Sequence, residues 1–318
     1  MIIAIRTSSF DSVVVRARIR AEEAMGGRID TETIMSPPRR VEFLRGALDR
    51  TQDGIAPLID LFRPHVTGLE TLPANGRFLL VGNHTQFVGG EVLLVPHFVR
   101  RAIGSRVRPL ADRRFGRSRG IGYDLMTAYG GVVGAPESAR ELMRHNETIL
   151  VFPGGGREIA KFKGEEYHLN WNGRNGFARI AGENDYPIVP VGLVGGDDVY
   201  KSMVTRDSAL GRLSQAVSVK LTGRSDMAMP LMRGMGPTLI PRPQRMYLRF
   251  GEPIDTTQPD GRAAQEWVES AKKSTQHALE TILAELLSIR AGDPFRALNP
   301  LSWASAAKAE ATSSASQN

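Results

Sequence analysis

Short apolar runs alternate with segments of helical periodicity between residues 78 and 194, and this alternation limits the fold more than any other feature. The apolar runs predict strands at 78–81, 107–111, 131–134, 148–152 and 188–194. The segments between them carry apolar residues at helical spacing and predict helices at 91–100, 120–128, 136–146 and 173–183. Strands that alternate with helices favour an α/β domain in which a largely parallel central sheet is flanked by helices.

The flanking segments differ from this core and divide the chain into four predicted regions. Residues 1–40 form an N-terminal arm, and residues 41–64 have apolar residues at helical spacing with an interruption near Pro57, which predicts a helical hairpin. The α/β domain occupies residues 65–295 and closes with a long amphipathic helix. Residues 296–318 are small and polar, so we predict a disordered tail.

Composition excludes several classes of protein. The chain has 318 residues and no cysteine, which excludes disulfide scaffolds, thiolate metal sites and a cysteine nucleophile. Apolar residues make up 41% of it, which is enough for a large core and too much for a disordered chain. No window reaches the roughly 18–20 continuous apolar residues of a membrane span, so we expect a protein that lies on a membrane without crossing it.

The net charge of +7 comes with an excess of arginine, and eight arginines fall between residues 100 and 119. Guanidinium groups bind phosphate. The cluster is therefore compatible with anionic lipid headgroups, a nucleotide-bearing cofactor such as coenzyme A, nucleic acid, or a plain solvated basic face. Aromatic residues are not interleaved with the arginines and no nucleic-acid-binding motif occurs, so we do not expect a nucleic-acid partner.

His84 follows the predicted strand 78–81 within the segment Val-Gly-Asn-His-Thr-Gln-Phe. Ligands of parallel α/β sheets bind at the carboxyl ends of the strands. A histidine at such an edge can accept a proton from a hydroxyl near neutral pH. The alternative is a histidine that caps a turn or bonds to the backbone.

A second polar segment, Pro153-Gly154-Gly155-Gly156-Arg157-Glu158, follows the predicted strand 148–152. If both strands are parallel, this segment emerges on the same rim as His84. Its glycines let the backbone approach a ligand, its N–H groups can face an anion or an oxyanion, and its arginine can clamp a phosphate. The alternative is an ordinary strand-to-helix turn, and the Gly-Lys-Ser/Thr of a P-loop is missing.

Two further segments carry charge and have open interpretations. Residues 161–177 combine lysines, acids and aromatics, and they form either a cover over the site or a solvated loop packed on the next helix. Asp197 and Asp198 follow the strand at 188–194 and are more typical of a turn or helix cap than of a metal site, because no histidine lies near them. The chain also lacks a G-x-S-x-G nucleophile elbow and any histidine spacing typical of metal ligands, so we expect no metal.

The order and spacing of these motifs resemble the glycerolipid (lysophospholipid) acyltransferase superfamily, and most closely its diacylglycerol acyltransferase-like, phytyl ester synthase-like branch. The resemblance spans roughly residues 65–255. The motifs that carry it are Asn83-His84, Arg108-Pro-Leu-Ala-Asp112, Phe152-Pro-Gly-Gly-Gly-Arg-Glu158, Gly164-Glu-Glu-Tyr167, Trp171, Arg174-Asn-Gly-Phe177, Pro187-Ile-Val-Pro190 and Gly251-Glu-Pro-Ile254.

The resemblance implies transfer of an acyl chain from a thioester to a hydroxyl of a glycerolipid, lysophospholipid or long-chain alcohol. The donor would be acyl-CoA as co-substrate, or an acyl carrier protein, with no bound cofactor. The reaction would take place at the cytoplasmic face of a membrane. His84 would be the general base, and Pro153, Gly154, Gly155, Gly156, Arg157 and Glu158 would bind substrate together with Arg108 and Asp112. Phosphate-using members have Phe-Pro-Glu-Gly-Thr-Arg in this block, whereas the form found here is that of the neutral-lipid branch.

The sequence departs from the family pattern His-x-x-x-x-Asp, because the fifth residue after His84 is Gly89. Glu91 is the nearest acid and is our predicted orienting partner for the imidazole, with Asp112 as the other candidate. If neither reaches His84, the chain would be a non-catalytic lipid or acyl-CoA binding protein on the same fold. We expect membrane contact through the 41–64 hairpin, the Met-rich loop at 225–241 and the arginines.

Overall fold

The computed structural model describes residues 34–112, 120–222, 228–259, 261 and 263–297, and it places the predicted apolar runs in one seven-stranded sheet. A second sheet pairs only β7 with β8. The strands in chain order are β1 (His65–Thr67), β2 (Leu79–Gly82), β3 (Val107–Ala111), β4 (Val132–Val133), β5 (Thr148–Val151), β6 (Ile188–Val194), β7 (Lys201–Ser202), β8 (Met232–Arg233) and β9 (Tyr247–Phe250).

The large sheet has the strand order β1-β9-β6-β2-β5-β3-β4. Strands β6, β2, β5, β3 and β4 are mutually parallel, whereas β9 pairs antiparallel with β6 and carries β1 parallel to itself. Val81 in β2 lies opposite Val151 in β5 and Pro190 in β6, so the three central strands end at the same edge. The predicted α/β fold with a largely parallel sheet is confirmed.

Helices cover both faces of this sheet. Their bounds in chain order are α1 (Arg39–Leu61), α2 (Val88–Ile103), α3 (Ile121–Tyr129), α4 (Pro136–Arg144), α5 (Gly156–Ile159), α6 (Gly176–Glu183), α7 (Ala209–Thr222) and α8 (Ala264–Gly292). Short 3-10 turns occupy Leu69–Thr71 and Gly196–Asp198.

Alternate residues of the central strands feed two separate hydrophobic cores. Leu79 and Val81 pack into the core shared with α4, α6 and α8, while Leu80 packs into the core under α2. Strand β6 is buried along its whole length, as expected for a parallel strand covered on both faces. This burial explains why the central strands appear in the sequence as continuous apolar runs.

The prediction of two helices at 41–64 is wrong, because α1 is a single helix that continues through Pro57. A proline removes one hydrogen bond, to the residue four positions earlier, and its ring crowds that carbonyl. Pro57 lies within about one turn of the end of α1, so only a few helical residues follow it. The proline therefore does not start a second helix.

Several sequence expectations fall outside the described residues. These are the first 33 residues of the N-terminal arm, residues 298–318 of the predicted tail, the arginines at 113, 114, 117 and 119, and residues 225–227 of the Met-rich loop. In the part of the chain that is described, no helix combines the length and apolar character needed to cross a bilayer.

Candidate active site

The carboxyl ends of β2 and β5 bring the two predicted polar segments together. His84 comes two residues after β2, and the 153–158 loop begins two residues after β5. The backbone N–H of His84 donates to Glu158 Oε2 at 2.9 Å, so the two segments are joined directly. The imidazole also stacks on Phe152, with ring centroids 4.5 Å apart. The expectation that both segments emerge on one rim agrees with this geometry.

His84 Nδ1 contacts Glu91 Oε1, and this contact is buried, because Glu91 is only 1% exposed. The carboxylate also accepts the Thr85 N–H at 2.9 Å on Oε1 and the Thr85 hydroxyl at 2.8 Å on Oε2. Three donors thus hold one carboxylate in a fixed position. Because Nδ1 is occupied by this contact, Nε2 is the ring nitrogen left to act on a ligand.

A paired amide contact fixes the segment on which His84 lies. Asn83 Nδ2 donates to the carbonyl of Leu193 at 2.9 Å, and the Leu193 N–H donates back to Asn83 Oδ1 at 2.8 Å. These two bonds extend the pairing of β2 with β6 by one side chain beyond the end of the ladder. The backbone at His84 is therefore anchored on both sides, through Asn83 and through Thr85.

The glycine-rich loop needs glycine at position 154 for a specific reason. A Cβ built on Gly154 would overlap the side chain of Glu158, which lies where a residue-154 side chain would project. Glu158 is buried there and accepts the N–H of Asn170 at 2.8 Å as well as that of His84. Burial is the largest influence and raises the pKa of Glu158, although both N–H groups favour its charged form.

The remainder of the loop is held by a neighbouring arginine. Arg174 Nη1 donates to the carbonyl of Pro153 at 2.9 Å and to that of Gly154 at 3.3 Å. Gly155 has a φ of +55°, a backbone conformation that favours glycine, and it precedes the short helix α5. Arg157 lies in α5 and is partly exposed.

A buried ion pair lies behind His84 and was not identified from the sequence. Lys161 Nζ is 2.6 Å from Asp197 Oδ2 and donates to the carbonyl of His84 at 2.9 Å. Asp197 also accepts the N–H of Gln86 at 2.9 Å and that of Tyr167 at 2.8 Å. The pair therefore ties the 161–167 segment and the turn after β6 to the His84 backbone. The structure thus buries Lys161, the first residue of the segment interpreted from the sequence as either a cover over the site or a solvated loop packed on the next helix.

A large apolar cavity opens beside His84, with a volume of about 1400 Å³. Typical sites for small molecules measure roughly 300–1000 Å³, so this cavity has room for a ligand larger than a drug-sized molecule. His84, Gly155, Gly156 and Arg174 border it near the loop, and Leu79 borders it five residues back along β2. The rest of its wall includes residues of α2, β3, α3, α4 and α6, among them Val92, Leu93, Pro109, Leu110, Met126, Ala139, Met143, Phe177 and Ile180.

Arg108 and Asp112 occupy different positions relative to this cavity. Asp112 is exposed and borders it. Arg108 is 5% exposed and lies apart from its wall, donating to the carbonyls of Gly130 and Ile34 and pairing with Glu147. The structure thus brings Asp112 to the cavity and gives Arg108 contacts typical of a structural ion pair.

Other members of the arginine cluster also form ion pairs. Arg100 and Arg106 both contact Asp49 of α1, and Arg101 contacts Asp60. These contacts join α1 to the α2–β3 region, so three more arginines of the cluster serve packing between elements.

The carboxylates of the acidic residues after β6 contact other side chains of the protein. Asp197 is engaged by Lys161, while Asp198 contacts the Tyr167 hydroxyl and Arg290. In the described ranges there is no group of three or more His, Asp or Glu side chains that could hold a metal ion.

The acyltransferase family model matches residues 63–194, which hold β1 to β6, the His84–Glu91 pair and the glycine-rich loop. The crystal structure of the 1-acyl-sn-glycerophosphate (LPA) acyltransferase PlsC from Thermotoga maritima is 17% identical with a TM-score of 0.44, covering 78% of this chain and 85% of that one.

Several known proteins are similar in sequence. Phytyl ester synthase 2, chloroplastic, of Arabidopsis thaliana is 28% identical over 260 residues, which cover 74% of this chain and 36% of that protein. An uncharacterized protein of Mycobacterium leprae is 30% identical over 233 residues, covering 70% and 61%. The human DGAT1/2-independent enzyme synthesizing storage lipids is 28% identical over 127 residues, covering 40% and 38%. The chain thus spans about a third to three fifths of the length of these relatives, and residues 63–194 make it similar to the glycerolipid acyltransferase superfamily.

Proposed function

We propose that this protein is an O-acyltransferase that moves a fatty acyl chain from a thioester to a lipid hydroxyl. The observation that carries the proposal is the contact between His84 and Glu91 at the border of a 1400 Å³ apolar cavity. A histidine with an orienting carboxylate can act as a general base, and an apolar cavity of this size can accommodate hydrocarbon chains.

His84 Nε2 takes the proton from the acceptor hydroxyl as its oxygen attacks the thioester carbonyl carbon. The new C–O bond gives a tetrahedral intermediate whose negative charge lies on the former carbonyl oxygen. Collapse of this intermediate breaks the C–S bond, and the thiolate leaves with the proton that His84 returns. The products are the ester and the free thiol. Glu91 keeps the proton of the neutral imidazole on Nδ1 and stabilises the imidazolium that forms.

The glycine-rich loop is proposed to stabilise the charged parts of the substrates. Backbone N–H groups within 154–157 would face the oxyanion, and Arg157 would bind a phosphate of the donor or the acceptor. The loop is held in place by Arg174 and Glu158, so these groups need little reorganisation when charge develops.

The donor and acceptor are proposed by class. We propose acyl-CoA as the donor, with an acyl carrier protein as the competing carrier of the same thioester. A long-chain alcohol is supported as acceptor by the similarity to phytyl ester synthase 2, and a glycerolipid by the similarity to the enzyme synthesizing storage lipids. We place the reaction at a membrane surface, on its cytoplasmic face.

The test measures thiol release by the purified chain from long-chain acyl-CoA and from acyl carrier protein thioester. Lysophospholipid, monoacylglycerol, diacylglycerol and fatty alcohol are presented one at a time in liposomes. His84→Ala is compared with wild type and with His145→Ala, whose histidine is exposed at the end of α4. We expect acceptor-dependent release that disappears in His84→Ala and persists in His145→Ala.

Two results would overturn parts of this proposal. Release that survives His84→Ala would exclude His84 as the base. Binding of acyl-CoA without release to any acceptor would indicate a non-catalytic binding protein, the alternative raised by the glycine at position 89.

A further inference from the structure

Exposed apolar side chains concentrate in the segment between β6 and β9. Among the described residues, sixteen large hydrophobic side chains are exposed, and ten of them lie between Met203 and Ile240. Soluble monomers rarely leave so much apolar surface together without a binding role. We name the exposed apolar residues of this stretch the 203–240 surface.

Helix α7 supplies one half of the 203–240 surface. Leu210, Leu213 and Val217 are spaced by three and four residues and therefore share one face of the helix, and they are 56%, 59% and 48% exposed. Gly211 and Ser218 of the same helix are buried and lie on a different face. The helix thus presents an apolar stripe to solvent in addition to the face that packs on the protein.

The loop around β8 supplies the other half and is bonded to this helix. The Ser214 hydroxyl donates to the carbonyl of Met229 at 2.6 Å, and the Met203 N–H donates to the carbonyl of Leu231 at 2.8 Å. Met229 and Leu231 are both more than half exposed. Farther along, the loop turns back on itself and exposes Leu239 to 67%. The Ser214 bond ties the helix to the loop, and the Met203 bond ties the loop to the residue after β7.

The exposed charges near the 203–240 surface indicate what kind of partner it binds. Within the described residues 199–222 and 228–242, the exposed charged side chains are four cations, Lys201, Arg212, Lys220 and Arg233, and one carboxylate, Asp207. An apolar surface with more exposed cations than carboxylates around it suits a bilayer with anionic headgroups, because the apolar groups enter the interface while the cations contact the headgroups. We propose that the 203–240 surface docks this protein onto an anionic lipid surface.

The docked segment is also bonded to the candidate active site. Ser202 of β7 donates to the carbonyl of Lys161 at 2.6 Å, and Gln86 Nε2 donates to Ser202 Oγ at 3.0 Å. Gln86 lies two residues after His84. Docking would therefore hold the His84 segment close to the lipid surface, and this consequence for acyl transfer rests on the proposed function.

The test is co-sedimentation of the chain with vesicles of phosphatidylcholine alone and of phosphatidylcholine mixed with anionic phosphatidylglycerol. The variant Leu213→Ser/Leu239→Ser removes one exposed apolar group from each half of the surface. The matched control Ile121→Ser/Ile289→Ser removes two exposed apolar groups from α3 and α8. All four positions are exposed, and circular dichroism checks that each variant is folded.

We expect wild type and the control to bind the anionic vesicles, and the surface variant to bind them at least about tenfold more weakly. Equal binding by wild type and the surface variant would overturn the proposal, as would wild type that binds neither vesicle. Conversion of a dimer to a monomer by the surface variant, with vesicle binding unchanged, would instead identify a self-interface. Thiol release from a water-soluble short-chain donor and acceptor is measured in parallel. Absence of this release in wild type refutes the proposed function, whereas release by wild type without vesicle binding refutes only the docking.

Discussion

Replacement of Glu91 by glutamine tests whether its charge is what makes His84 a base. Glutamine has nearly the same shape, so its one carbonyl oxygen can still accept from His84 Nδ1 and from the Thr85 N–H. Its amide group can donate to the Thr85 hydroxyl, which reverses that bond without breaking it. We therefore expect the fold to be preserved while the negative charge beside the imidazole is lost.

The size of the expected fall in kcat follows from the role of the Glu91 charge in the reaction. The carboxylate is buried and close to the ring, so it stabilises the imidazolium far more than a solvated carboxylate would. Loss of an orienting carboxylate of this kind lowers kcat by about 10⁴-fold in catalytic triads, and the retained Thr85 contacts limit the loss of orientation. We expect a fall in kcat of about 10²- to 10⁴-fold, which corresponds to about 3–5 kcal/mol.

The assay is the rate of thiol release at saturating donor and acceptor, with thermal unfolding measured on the same preparations. A Glu91→Gln variant that keeps the wild-type kcat while remaining folded would refute the role given to the carboxylate. Gly89→Asp combined with Glu91→Ala is an informative second variant. A Cβ at Gly89 would meet only the Phe87 ring, at 3.8 Å, so an aspartate fits there. We expect it to recover part of the activity that Glu91→Ala loses.

Three further predictions concern the groups around His84. Gly154→Ala should displace the Glu158 carboxylate and lower kcat by about 10²-fold, whereas Gly176→Ala, where a Cβ meets nothing within 4 Å, should keep wild-type activity. Lys161→Met should lower the free energy of unfolding by about 3–5 kcal/mol in urea titrations, and Lys161→Met/Asp197→Leu by less, because no buried charge is then left unpaired. Burial raises the pKa of Glu158, so this carboxyl binds a proton more tightly in the folded protein than in the unfolded chain. The stability that it contributes is therefore largest below about pH 4 and is lost as pH rises through the raised pKa. Urea titrations at acid and neutral pH should therefore show Glu158→Gln gaining stability relative to wild type as pH rises; a constant difference would contradict this.

The sheet could be predicted from the sequence because its central strands are buried on both faces. The predicted bounds 107–111 and 188–194 coincide with β3 and β6. The edge strand β1 and the short strands β7 and β8 were not predicted, because strands of two or three residues are too short to give an apolar run. Helix α7 was not predicted, although Leu210, Leu213 and Val217 have helical spacing.

The site was predictable where residues follow a strand, and it was not where contacts depend on tertiary packing. His84 and the 153–158 loop follow β2 and β5, and the parallel pairing of those strands brings them together. The Lys161–Asp197 pair joins two loops 36 residues apart in the chain, and no local pattern indicates that such a lysine is buried. Arg108 is the opposite case. Its motif suggested that it binds substrate, whereas its contacts are with other groups of the protein.

The Glu91 contact explains how a carboxylate seven residues after His84 can stand in for one expected after five. Helix α2 begins at Val88, so Glu91 lies in its first turn. Side chains on a helix point back toward its N-terminus, and a residue of the first turn therefore covers the segment that precedes the helix. That segment is His84-Thr85, and both residues donate to the carboxylate. The positive end of the helix dipole favours an anion there as well. The spacing of the motif is thus less constrained than the requirement that an acid in the first turn of this helix reaches back to the imidazole.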